Sequence, residues 1–81
     1  MKDTEKFRNY LLDLGQLIKE SALEAIEERE KHRGQPAQEF YDGYVLGLHR
    51  IVSLMQQQAW VFGIPLEEIG LADINPDNDL V

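Results

Sequence analysis

His49 is the residue best suited to acid–base or ligand chemistry, because an imidazole changes charge between about pH 5 and 8. The one other histidine is His32. An Asp–His pair can orient such a ring for proton transfer or for a metal. Asp42 and Gln56 stand seven residues to either side of His49, so on a helix the three line one side. Seven residues span ~10 Å of rise, too far for Asp42 to hydrogen-bond the ring. No Glu-x-x-His or His-x-x-x-His spacing supplies metal ligands. His49 therefore reads as a surface or interface residue and His32 as part of a turn.

Asp73-x-Asn75-x-Asp77-x-Asp79 imitates the opening of a calcium loop. Such a loop needs glycine at its sixth position, where this chain has Asn78, and a bidentate glutamate at its twelfth, which falls past Val81. An acidic, solvated tail is the better reading. Asp13, Glu20, Glu24 and Glu27 form a second acidic group, a ribbon beside the apolar stripe of the first helix. It could meet a basic partner or imitate nucleic-acid phosphates. The ordinary reading is a solvated helix face, balanced by pairs such as Glu27–Lys31.

The chain has no cysteine, which removes thiol nucleophiles, zinc-thiolate sites and disulfides together. It offers no nucleophile–base pair at usable spacing and no phosphate-cradling glycine loop. The expectation is a non-enzyme with no catalytic residue, no cofactor and no metal site.

Charge narrows the partners. The formal net charge is −7, and residues 36–81 carry seven acids against Arg50 alone. Phosphate backbones and anionic headgroups are repelled by such a chain unless a basic patch intervenes, and none does. Neither nucleic acid nor membrane is an expected partner. The charged start Met1-Lys2-Asp3-Thr4-Glu5-Lys6 does not resemble a signal peptide, and no apolar run approaches a membrane span. Together with the missing cysteines this points to the cytoplasm.

These residues must be positioned by helices. Phe7, Tyr10, Leu11, Leu14, Leu17, Ile18, Ala22 and Ala25 recur at helical spacing and predict a first helix over about 4–32, with Thr4 as N-cap. Gly34-Gln35-Pro36 marks a turn at 33–36, with Pro36 opening the next helix. The second stripe, Phe40, Tyr41, Tyr44, Val45, Leu48, Ile51, Val52, Met55, Ala59 and Phe62, predicts a helix over about 36–62 that zips against the first. A short helix over about 65–70 follows, then a frayed acidic tail over about 73–81. The fold class is thus all-α: one domain, residues 1–81, an antiparallel hairpin of two long helices plus a short C-terminal helix.

Helix 2 carries just three formal charges, Glu39, Asp42 and Arg50. Beside its main stripe it presents Gly43, Gly47, Leu54 and Val61. A helix apolar on two faces is usually buried on both. A second hairpin could cover the extra face and complete a dimeric four-helix bundle, with those four residues at the interface. The competing account of Gly43-x-x-x-Gly47 places each glycine under a bulky side chain of helix 1. Ala59-x-x-x-Gly63-Ile64 with Ile69 has helix-turn-helix spacing, but Pro65, Glu67 and Glu68 would fall in the recognition helix. The functional expectation is a helical interaction module that self-associates as a homodimer or binds a partner protein. The alternatives are an acidic nucleic-acid mimic that inhibits a basic protein and, weaker, a small helix-turn-helix protein.

Overall fold

The computed structural model describes residues 2–81. Helix α1 spans Asp3–Lys31 and helix α2 spans Gln38–Val61. A single 3-10 turn, Leu66–Ile69, and a four-residue helix, α3 (Pro76–Asp79), complete an all-helical chain. The two long helices pack against each other as a hairpin 49 Å long.

The ends of the long helices differ slightly from the sequence expectation. Lys2 occupies the N-cap of α1 in place of Thr4 and makes no side-chain cap bond; Asp3 and Glu5 fall in the first turn, where the dipole favours acids. Pro36 does not open α2. The hydrogen bonds Gln35 N to His32 O and Gln38 N to Gln35 O, both 3.0 Å, hold residues 32–38 in turns. Gln38 Oε1 accepts from Gly34 N at 2.7 Å, and His32 stacks on Tyr41 with centroids 4.8 Å apart. At its far end α2 stops in a Schellman motif: Ile64 N donates to Ala59 O at 2.7 Å and Gly63 N to Trp60 O at 3.1 Å. That geometry needs the positive φ of Gly63, +68°.

The seam between the helices is built from small residues. Ala22 and Ala25 of α1 meet Val45, Val52 and Ala59 of α2, all buried. The larger residues of both stripes are pushed to its edges: Tyr41, Leu48 and Met55 are half-buried, whereas Phe40, Tyr44, Ile51 and Phe62 are exposed. The expectation that the whole second stripe faces helix 1 is therefore corrected. Alanine and valine fill the centre of the seam, flanked by Ile18, Ile26, Leu48 and Met55, and the rings lie outside it.

The larger departure is the tail. Residues 69–80 supply four of the nine core residues, Ile69, Leu71, Ile74 and Leu80, and Leu71 and Leu80 are the largest fully buried side chains. The segment lies along one side of the hairpin, where a frayed tail was expected. It is held by polar ties: Lys19 Nζ to Asp73 at 2.9 and 3.0 Å, His49 Nε2 to Asp77 Oδ1 at 3.1 Å, and Arg29 Nη2 donating to Val81 O at 2.7 Å. Gln56 donates to both Leu71 O (3.1 Å) and Ile74 O (2.9 Å). The crossing onto α1 depends on Gly15. A methyl there would overlap the Ile69 carbonyl oxygen, and one on Gly70 would lie 2.9 Å from Leu12 O.

Candidate interaction surface

With residues 66–81 sealing one side of the hairpin, the opposite side remains uncovered. Phe40, Tyr44, Ile51 and Phe62 of α2 recur at four- and seven-residue spacings with Gln58 between them and so share one face. On α1, Tyr10, Leu17, Ser21, Glu24 and Glu28 do the same. Two clefts show that both faces look the same way. One, of about 300 Å³, sets Ser21, Glu24 and Glu28 beside Phe40 and Tyr44. The other, of about 180 Å³, sets Leu11 beside Met55, Phe62 and Ile64.

At about 200 Å² per ring, the exposed fractions of Phe7 (65%), Tyr10 (63%), Phe40 (66%), Tyr44 (47%) and Phe62 (72%) leave roughly 600 Å² of aromatic surface uncovered. Leu11, Leu17, Ile51 and Leu54 are also exposed and add aliphatic area. The largest apolar patch on a typical monomer is roughly 300–600 Å². A stable interface takes roughly 800 Å² from each partner.

The four interface residues read from the sequence are all uncovered. A Cβ at Gly43 or Gly47 would meet no atom within 4 Å, so neither glycine lies beneath a helix 1 side chain. Leu54 and Val61 are exposed. They form the outer rim of the open side rather than its centre, which is the ring-bearing row Phe40, Tyr44, Ile51 and Phe62. The signal for that row was in the sequence as the outer edge of the main stripe. The signal for its exposure lay in Ala22, Ala25 and Ala59, whose small size draws the helices together.

The groups with catalytic potential are placed otherwise. Asp42 does not meet His49; the ring pairs instead with Asp77, 28 residues on in sequence. Beside that pair a cleft of about 630 Å³ is lined by Ser53, Gln57, Trp60, Asp73 and Asp77, among others. Ser53 makes no hydrogen bond to His49 among the described residues. The four polar residues of the calcium-like run diverge. Asp73 serves Lys19, Asp77 serves His49, Asn75 Oδ1 accepts from Asp77 N, and Asp79 Oδ2 accepts from Asn75 N. The Lys19 ammonium holds the Asp73 carboxyl below its usual range, chiefly through their hydrogen bond. No group of three or more potential metal ligands exists among the described residues.

Just past α1, the Arg33 guanidinium, 2.6 Å from Glu30, lowers the Glu30 carboxyl through its hydrogen bonds and is itself raised. Lys31 pairs with Glu28 at 3.3 Å rather than with Glu27. The chain after Gly63 forms one 3-10 turn where a recognition helix would lie. Among the described residues no helix is long and apolar enough to cross a membrane. Comparisons with protein-family models, curated proteins and solved structures found no match.

Proposed function

We propose that this chain is a non-enzymatic protein-interaction module whose working surface is the open side of the hairpin. The observation that carries the reading is the row Phe40, Tyr44, Ile51 and Phe62, exposed on one face opposite the side its own C-terminal segment covers. A helical partner fits such a face, since two more helices laid on it complete a four-helix bundle. Gly43, Gly47, Leu54 and Val61 form the rim along which that partner approaches. Support for a cytoplasmic setting comes from the absence of cysteine. The acidic-mimic reading is weaker, because Asp73, Asp77 and Asp79 are engaged within the chain and are not free to imitate phosphates.

A photoreactive phenylalanine analogue at Tyr44 tests the surface in native lysate. Illumination should yield discrete protein adducts, whereas the same probe at Glu67, away from the open side, should yield none. Equal labelling from both positions, or none from Tyr44, refutes the proposal.

A further inference from the structure

We infer that the occupant of the open side is a second copy of this chain, related by a two-fold axis parallel to the helices. Helix α1 then lies against the partner's α2, and both interhelical turns sit at the same end. This inference rests on the interaction-module reading and adds the partner's identity and orientation.

The argument starts from how apolar area is distributed. At the end far from the interhelical turn, both helices present apolar residues: Phe7, Leu11, Leu14 and Leu17 on α1, Leu54, Met55 and Phe62 on α2. Near the turn the two helices differ. There α1 presents Ser21, Glu24 and Glu28, while α2 still presents Phe40 and Tyr44. The open side therefore has an apolar end and a mixed end.

Two hairpins stacked by a two-fold axis have two arrangements. An axis across the helices lays α1 antiparallel on the partner's α1. Phe7 would then cover the partner's Glu28, and two carboxylates, one from each copy, would lose water against a ring that offers no donor. Buried charges without partners cost several kcal/mol or more each. An axis along the helices keeps each level opposite itself. Phe7, Leu14 and Leu17 then meet the partner's Phe62, Met55 and Leu54. At the mixed end Glu24 faces the partner's Tyr44, whose hydroxyl can donate to a carboxylate.

Charge complementarity agrees. Arg50 is the one base of residues 36–81; it is exposed on the outer edge of α2, and among the described residues it makes no ion pair or hydrogen bond. Glu20 is likewise exposed and unpaired on the outer edge of α1. The axis along the helices brings Glu20 to the level of the partner's Arg50, and by symmetry Arg50 to that of the partner's Glu20. The uncovered rings alone supply most of the roughly 800 Å² per partner of a stable interface.

Light scattering on the purified chain, coupled to size exclusion at micromolar concentration, should give twice the 9.4 kDa chain mass. A spin label on a Gln35→Cys variant, the sole thiol, then reads the axis. Labels at the same end should lie within about 20–30 Å, given helix spacings of roughly 8–10 Å. An axis across the helices would separate them by nearly the 49 Å length of the hairpin. Arg50→Glu and Glu20→Arg should each weaken the dimer roughly three- to tenfold, and the double variant should recover most of that loss. A monomeric mass overturns the second-copy inference while leaving the photo-adduct result to decide the module reading. A dimer with labels near 49 Å apart, or no recovery in the double variant, overturns the arrangement.

Discussion

Replacing Gly15 by alanine sets two effects of known size against each other. Alanine is the better helix former by about 1 kcal/mol in a helix interior, and α1 is intact on both sides of Gly15. Without the C-terminal segment the substitution should stabilise the chain. In the folded protein, however, the new methyl would overlap the Ile69 carbonyl oxygen. Backbone cannot swing aside as a side chain can, so the segment must lift. Lifting it exposes Ile69 and Leu71, now 5% and 0% accessible, at about 1.5–3 kcal/mol each. The net expectation is a loss of about 2–5 kcal/mol. Urea denaturation followed by far-ultraviolet circular dichroism reads this directly. With a slope near 1 kcal/mol per molar for a small domain, the midpoint should fall by roughly 2 M or more. Gly70→Ala should cost comparably from the other side of the crossing, and the pair should be far from additive because both act by lifting one segment. An unchanged or higher midpoint for Gly15→Ala refutes the crossing.

Gly43→Ala and Gly47→Ala meet open space within the chain, so each should raise stability by up to about 1 kcal/mol under dilute, monomeric conditions; a loss confined to concentrated samples would place a partner's backbone against those glycines. Lys19→Met removes the ammonium that lowers Asp73, so carboxyl-detected NMR titration should show that pKa rising towards its ordinary value. A carboxylate lowered in the fold contributes stability above its unfolded pKa and loses it as pH falls through the folded one; the variant's advantage at neutral pH is therefore smaller, and its acid transition is shallower over that window. Leu80→Ala empties a site 2% accessible and should cost about 2–5 kcal/mol by the same urea assay, whereas a frayed tail predicts no change. If the chain dimerises, its melting temperature should rise with protein concentration by mass action, and a concentration-independent midpoint would contradict that.

The two long helices were legible because their apolar residues keep a helical period over some seven turns, a signal that survives small errors of boundary. The position of the seam within each stripe was not. Periodicity treats Phe40, Val45 and Ile51 as equivalent members of one face, but packing does not. Alanine and valine permit close approach, so the seam settles on Ala22, Ala25, Val45, Val52 and Ala59 and turns the rings outwards. The docked tail was hidden for another reason. Asp73, Asn75, Asp77 and Asp79 dominate its composition, and an acidic run with a proline ordinarily stays solvated. Its apolar anchors Ile74 and Leu80 follow no helical or strand period, and its polar partners Lys19, His49 and Gln56 are remote in sequence. Gly15 was the one local clue, a costly residue in mid-helix that a backbone crossing explains.

The division between a sealed side and an open side follows from what each can satisfy. An irregular segment brings free backbone donors and acceptors wherever it packs, and buried ones must find partners. The side carrying Lys19, Arg29, His49 and Gln56 provides them: Gln56 alone serves two carbonyls, and Arg29 serves a third. The opposite side is dominated by Phe7, Leu11, Phe40, Ile51 and Phe62, which offer area and no hydrogen bonds, with Ser21, Glu24, Glu28 and Tyr44 gathered at one end. A surface of that kind is best covered by elements whose backbone groups are already paired, and among the described residues the chain has no third long helix to supply one. The polar side therefore suits the chain's own tail, and the ring-bearing side is the one left for the helical pair of the proposed partner. Exchanging the two occupants would strand backbone carbonyls against phenylalanine and carboxylates against apolar helices.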